Sequence, residues 1–317
     1  MLFMRVATDA YANTLINQVN SLSAQMDNLE NEVTTGLSVQ SPSDNPGAME
    51  TTLDDLSSQS AQQQYSSNIT TLQSQANSVY SVLQQLQTIT SQAQTIATES
   101  SNPTNSQTDL DNYASQVTTL IQQAAQLVNS KDPSTGQYLF GGTNSGQQPF
   151  SVTTNSSGNV TGVSYEGNSS VNQAQIASGT TVSVEVPGVN TTGSGAPGVI
   201  TDSRTGADLF NHLIALQNDL QSGDTTAISN TDTQNLQNDE NNITYQVAYN
   251  GNVQTRLNTA SSFASSQSNS LNQSISNASS ADAVQAMVQL NQTQTAYEAA
   301  LETTTRVMQI SLVDFLT

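Results

Sequence analysis

Residues 12–33 read ANTLINQVNSLSAQMDNLENEV, and their apolar side chains recur at alternating steps of three and four residues. This spacing is that of a heptad repeat, in which a narrow apolar stripe runs along an otherwise polar helix. Such a helix needs a partner helix, because most of its stability comes from packing its apolar face. The stripe residues, which we predict to serve in assembly, are Leu15, Val19, Leu22, Met26, Leu29 and Val33.

The same spacing returns at the other end of the chain, over residues 283–316. We expect the two ends to meet each other and then to meet neighbouring molecules. Chain ends have little core of their own, so we also expect both helices to be loose in the monomer and ordered on assembly. The stripe residues predicted here are Met287, Leu290, Tyr297, Leu301 and Met308, followed by Leu312 and Phe315.

The composition is polar but nearly uncharged: 34% of residues are apolar, 5% aromatic and 9% charged. It favours helices paired along stripes over one large globular core. A net charge of −20, with five scattered cations, argues against nucleic acid or an anionic membrane surface as a partner. The absence of cysteine excludes disulfides, thiol catalysis and thiolate metal sites.

No apolar run approaches the length of a membrane span, and the first residues lack the features of a Sec signal peptide. The chain is therefore expected either in the cytoplasm or outside the cell by a route without a cleaved signal.

Between the ends, the sequence predicts a mainly α-helical chain with a small β-rich insertion. A very long helix is expected over 47–100 and a polar one over 226–278. Three Ser/Thr-x-x-Asp patterns resemble capping boxes that begin the other helices. These patterns are Thr108–Asp111, Thr205–Asp208 and Ser279–Asp282.

The insertion is rich in glycine, threonine and valine, and its apolar residues alternate with period two. Strands are predicted over 160–165 and 181–186, and a strand entering a tight turn over 138–142. The expected divisions are an N-terminal coiled-coil helix, a helical body in two halves around a β-rich outer domain, and a C-terminal coiled-coil helix. Their boundaries are 1–40, 41–140, 141–204, 205–280 and 281–317.

An elbow is predicted where the first helix ends and the second begins. Gly36 suits the end of a helix, and Pro46 suits a first helical position with Asn45 as its cap. Pro42, Asp44 and Pro46 could define a fixed elbow, or they could belong to an ordinary capped loop. The spacing alone favours the ordinary capped loop.

The residues offer no catalytic or cofactor site. His212 is the one histidine, and a lone histidine beside Phe210 and Leu213 is typical of a packing or surface position. Neither a His/Cys metal site nor a Cys–His pair can be built. The acidic pairs lack the spacing of a calcium loop, and Gly141-Gly142 is followed by no phosphate-binding lysine. We therefore predict no enzyme activity, cofactor or metal.

Three stretches resemble the flagellin superfamily and, within it, the proteins of the hook–filament junction. The elbow Pro-Ser-Asp-x-Pro is typical of the junction proteins, whereas the preceding Gly-Leu turn is shared with flagellins. The closing helix is similar in both. The stretches are residues 4–46, residues 138–143 (YLFGGT), and residues 297–301 with 307–316.

The resemblance implies a flagellin-like antiparallel bundle of long helices with N- and C-terminal coiled-coil helices. It implies a structural component of the bacterial flagellum that joins the hook, through hook-associated protein 1, to the flagellin filament. It also implies a ring of further copies, and export through the flagellar type III apparatus, with a cytoplasmic chaperone on the C-terminal helix. The location would be the extracellular flagellum.

Two other functions remain alternatives. The chain could be flagellin, the filament subunit itself. It could also be a coiled-coil signalling module, but membrane spans or a docking module would then be expected, and the sequence contains neither.

Overall fold

The computed structural model describes the backbone of residues 2–156 and 158–316 and the side chains of residues 10–11, 13–156 and 158–309. A π-helical turn, Ile228–Asp232, joins two of its helices. The prediction of a mainly α-helical chain with a small β-rich insertion is confirmed. The helices are α1 (Leu2–Thr35), α2 (Pro46–Ser100), α3 (Gln107–Val128), α4 (Leu209–Ser222), α5 (Thr225–Ala227), α6 (Thr233–Ser279) and α7 (Ala283–Leu316).

The junction between α1 and α2 has the predicted caps. Gly36 follows the last residue of α1 with a φ of 71°, a left-handed conformation that glycine adopts without steric cost. Pro46 is the first residue of α2, where its missing N–H costs nothing. The side chain of Asn45 caps the helix by accepting the N–H of Ala48 at 3.1 Å.

The cap of α3 lies two residues earlier than predicted. Ser106 and Asp109 form the capping box: Ser106 Oγ accepts the Asp109 N–H at 3.3 Å, and Asp109 Oδ2 accepts the Ser106 N–H at 3.1 Å. The predicted pair, Thr108 and Asp111, is wrong. The two patterns overlap in the sequence, and the earlier one places Thr108 inside the first turn.

The other two predicted capping boxes do not form either. Asp208 precedes α4, but its oxygens accept from Thr201 at 3.1 Å and Asn211 at 2.7 Å instead of capping the helix. Asp282 is itself the cap of α7, since Oδ1 accepts the N–H groups of residues 284 and 285. Ser279 is the last residue of α6.

Three small sheets form the β-rich insertion. Two are antiparallel pairs, β1 with β2 and β3 with β4. In the third, β5 runs parallel to β6, and β6 runs antiparallel to β7. The strands are β1 (Phe150–Thr154), β2 (Val160–Tyr165), β3 (Ala174–Ala177), β4 (Thr180–Val182), β5 (Val189–Asn190), β6 (Thr201–Asp202) and β7 (Ala207–Asp208).

The predicted strand over 160–165 is confirmed, and that over 181–186 ends at Val182. Of the strand and the tight turn predicted over 138–142, the turn is confirmed and the strand is wrong. Tyr138 makes a single bridge to Lys131, and the chain then turns. Gly142 has a φ of 62°, and a Cβ on it would lie 2.2 Å from the carbonyl oxygen of Asn168. A continuous strand could not pass through this position.

The chain divides into two compact units, residues 1–61 with 267–317 and residues 62–266. The larger unit has its main core where α2, α3 and α4 meet β1 and β2. Phe150 is buried in this core, and its ring centroid lies 5.0 Å from that of Tyr165 and 5.7 Å from that of Phe210. The same core contains large, fully buried aliphatic side chains, among them Leu83, Leu86, Ile121, Leu213 and Leu216.

Side-chain amides join α2 to α6 within the larger unit. Hydrogen bonds link Gln73 to Asn258 at 2.9 Å, Gln87 to Thr244 at 3.2 Å and Gln94 to Gln237 at 3.1 Å. Each step of seven or fourteen residues along α2 is matched by an equal step back along α6, so the helices are antiparallel and in heptad register. The abundant glutamine and asparagine thus pair beside a narrow apolar core.

Candidate functional site

The terminal helices α1 and α7 pack against each other in the smaller unit. The end of α1 lies beside the start of α7, since Leu37 and Ser280 form an antiparallel bridge. The two helices therefore run antiparallel, and the expected meeting of the chain ends is confirmed.

The predicted stripe of α1 is the face with the least exposure. Leu29 is buried, at 7% exposure, and the other stripe residues are half-buried. Ile16, one position off the stripe, is 37% exposed. The half-buried residues are Leu15, Val19, Leu22, Met26 and Val33.

On α7 the predicted stripe is only in part the face that packs on α1. Leu290 and Tyr297 are half-buried, but Met287, Leu301 and Met308 are 54%, 41% and 42% exposed. The least exposed positions, again in steps of three and four, are Ala286, Leu290, Thr293, Tyr297, Ala300, Thr304 and Val307. This face includes small residues, which let the helix axes approach closely. The sequence prediction followed the larger side chains of the neighbouring row, although the spacing of the small residues was available as a signal.

The side chains of Leu312 and Phe315 lie outside the described residues. Their predicted part in assembly stays a prediction, as it does for the other residues of both stripes.

The elbow forms a defined turn around Asp44. Asp44 Oδ2 accepts the N–H groups of Gln40 at 3.0 Å and Ser41 at 2.8 Å. These backbone hydrogen bonds lower the pKa of the Asp44 carboxyl group. Pro42 and Pro46 are exposed on either side of it. These hydrogen bonds define the local turn, and the part that the elbow residues take in function stays a prediction.

A backbone clamp joins this elbow to the connector between α6 and α7. The N–H of Ser38 donates to the carbonyl of Ser279 at 2.8 Å, and the N–H of Ala281 donates to the carbonyl of Gly36 at 2.9 Å. Val39 is buried, at 9% exposure, beside them in sequence. The prediction did not include this clamp, because backbone hydrogen bonds between distant segments leave no side-chain pattern in a sequence.

His212 has the packing role that the sequence predicted. Its Nδ1 lies 2.8 Å from Asp239 Oδ2, so the side chain links α4 to α6. Burial alone would lower the pKa of His212, but the hydrogen bond and the charge of Asp239 raise it. The other oxygen of that carboxylate accepts the N–H of Asp208 at 2.8 Å.

Within the described chain, no group of three His, Cys, Asp or Glu side chains is placed to hold a metal ion. None of the helices described is long and apolar enough to cross a membrane.

Comparisons with known proteins agree with this arrangement. Residues 6–145 match the family model of the bacterial flagellin N-terminal helical region. A search of curated proteins by sequence found no match.

Several solved structures are similar in fold. A putative flagellar hook-associated protein from Vibrio parahaemolyticus matches with a TM-score of 0.62 at 20% identity, over 75% of this chain and 100% of that one. Flagellar hook-associated protein-3 from Legionella pneumophila matches with a TM-score of 0.56 at 16% identity, over 69% and 95%. The flagellar junction protein FlgL from the same species matches with a TM-score of 0.50 at 15% identity, over 62% and 95%.

The fold of the chain is therefore similar to that of flagellar hook-associated proteins, and its residues 6–145 match the model of the flagellin N-terminal helical region. The predicted resemblance to the flagellin superfamily is confirmed. Within that class, the chain resembles flagellar hook-associated protein 3 in fold.

Proposed function

We propose that this protein is a structural component of the bacterial flagellum that joins the hook to the flagellin filament. The observation behind the proposal is the pair of terminal helices, which use one face to pack on each other and leave a second apolar row uncovered. Met287, Leu301 and Met308 form that row at heptad spacing, with 54%, 41% and 42% of their surfaces exposed. Apolar rows of this kind mark surfaces for association with other helices.

The same proposal names the partners. The terminal helices pack on neighbouring copies, on hook-associated protein 1 on the hook side and on flagellin on the filament side. Before export through the flagellar type III apparatus, without a cleaved signal peptide, a cytoplasmic chaperone covers the C-terminal helix. The protein acts in the extracellular flagellum, and its role is structural rather than enzymatic.

Flagellin itself is the second candidate, because flagellins share the matched N-terminal region. The turn around Asp44 favours the junction protein, since the Pro-Ser-Asp-x-Pro elbow resembles that of junction proteins. The solved structures with similar folds are also named as hook-associated or junction proteins.

Deletion of the gene, followed by electron microscopy, separates these candidates. If the protein joins hook and filament, the deletion strain should have hooks without filaments and should release flagellin into the medium. Antibody labelling of wild-type flagella should then mark the hook–filament boundary. Label along the whole filament would identify flagellin instead, and normal motility after deletion would refute both roles.

The exposed row of α7 can be tested against a matched control. Leu301→Ser with Met308→Ser should leave the stability of the monomer within about 0.5 kcal/mol of wild type, because both side chains are exposed. It should nevertheless prevent incorporation into flagella. Gln292→Ser with Glu298→Ser, also on exposed positions of α7, should be incorporated normally. Equal incorporation of the two variants would show that the row takes no part in assembly.

A further inference from the structure

A row of exposed aromatic side chains lies on α6 within the larger unit. Tyr245, Tyr249 and Phe263 are 53%, 37% and 60% exposed, and Arg256 is exposed between them. Their spacings of four and seven residues place them on one side of the helix. We call these four residues the aromatic stripe. The exposure is notable because aromatic residues make up 5% of the chain.

The aromatic stripe contains a pair of stacked rings and an unpaired charge. The rings of Tyr245 and Tyr249 stack with centroids 6.4 Å apart. Among the described side chains, Arg204 pairs with Asp202 and Arg306 with Glu302, whereas Arg256 has no carboxylate partner. Residues 241–281 contain no Asp or Glu, in a chain with 25 acidic residues.

The same unit has an exposed acidic patch at one end. Gln107, at the start of α3, donates to the carbonyls of Leu220 and Gln221 at 3.3 and 3.0 Å, which brings the ends of α3 and α4 together. The carboxylates gathered there are Glu99, Asp109, Asp111 and Asp224, all exposed. We call these four residues the acidic patch.

The patch and the stripe cannot meet within one molecule. Gln94, near the acidic end of α2, bonds Gln237 of α6 at 3.1 Å. Arg256 lies about 28 Å of helix beyond that point, at 1.5 Å per residue. Each surface is therefore free to meet a second copy that is displaced along the helix axis.

We infer that the aromatic stripe of one copy docks on the acidic patch of a second copy. Tyr and Arg are enriched at the energetic centres of interfaces, and complementary charge favours this pairing over two like surfaces. The contact is heterologous, so its repetition connects successive copies into a closed ring or a helical array. This inference rests on the proposed function, because it supplies the self-association that a junction requires.

Cysteine crosslinking tests the contact, since the chain contains no native cysteine. A double variant, Asp111→Cys with Arg256→Cys, would be expressed in its own host, and isolated flagella treated with a short bis-maleimide. The expected products are covalent dimers and larger multimers of the chain. The matched control pairs Asp111→Cys with Ser262→Cys, because Ser262 is exposed on α6 roughly 120° around the helix from Arg256.

The result expected is at least several-fold more multimer from the Arg256→Cys variant than from the control. Equal yields, no multimer, or crosslinks to a protein of a different mass would overturn the inference while leaving the proposed function intact. If the wild-type chain is absent from isolated flagella, the proposed function itself fails. A change of charge tests the same contact between copies. Arg256→Glu should lower incorporation into flagella, and Arg256→Lys should retain most of it.

Discussion

The carboxyl group of Asp232 should destabilise the protein at neutral and alkaline pH. This residue lies in the π-helical turn, is 1% exposed, and has an Oδ2 atom that no donor reaches. Burial, with the negative charge of Asp219 beside it, raises the pKa of Asp232 to about 7. The native state thus holds a proton that the unfolded chain releases near pH 4.

The sign and size of the effect follow from proton linkage. Because the pKa is raised on folding, stability is unaffected below the unfolded-state pKa and falls as the pH rises towards 7. A shift of about three pKa units corresponds to about 4 kcal/mol, an upper value because the π-helical turn can open to water. Asp232→Asn, which cannot ionise, should therefore be more stable than wild type by about 2–4 kcal/mol above neutral pH.

Urea unfolding of the full chain, followed by circular dichroism from about pH 5 to about pH 9, measures this difference. The advantage of Asp232→Asn should be about a third of its full size at the acidic limit, grow up to about pH 7 and then level off. Glu99→Gln, which removes an exposed carboxylate, should change stability by less than about 0.5 kcal/mol at every pH. The reasoning would be refuted if Asp232→Asn were less stable than wild type at high pH, or if the difference in free energy of unfolding were the same at every pH.

Three further changes test the caps and the terminal pair, each by urea unfolding. Ser106→Ala should lower the free energy of unfolding by about 1 kcal/mol, because it removes the capping box of α3, and Thr108→Ala should lower it by less than half of that. A larger loss for Thr108→Ala than for Ser106→Ala would instead support the cap predicted from the sequence. Gly36→Ala should cost about 1 kcal/mol through its left-handed φ of 71°, although the space around it is open, and Gly146→Ala, also in open space but without that φ, should be nearly neutral. Leu29→Ala should cost about 2 kcal/mol and speed amide exchange in α7, and unchanged exchange would show that α7 does not depend on this contact.

Local features were predictable where a few adjacent residues decide them. The turn at Gly36, the cap at Asn45 and the start of α2 at Pro46 follow from backbone preferences that act over three or four residues. The capping boxes were less predictable. Ser106–Asp109 and Thr108–Asp111 satisfy the same rule two residues apart, so the local pattern cannot choose between them.

Which side of α7 is covered depends on the shape of α1, the helix that packs against it. In sequence, Met287, Leu301 and Met308 have the stronger apolar signal, and a hydrophobic pattern ranks them above Ala286 and Thr293. In the structure, α1 approaches the smaller residues and leaves the larger row exposed. Close packing rewards complementary shape as well as apolar character, and shape depends on both helices.

By itself, the sequence determined that long helices pair along narrow stripes, that the two ends belong together, and that no thiol or His-cluster chemistry is available. These properties follow from residue type and period, which act along the chain. The tertiary structure alone decided which row of α7 is covered, how Ser38 and Ser279 clamp the connectors, and why Asp232 is buried beside Asp219. Each of these joins segments far apart in sequence, so its energy depends on a second surface that no local pattern specifies.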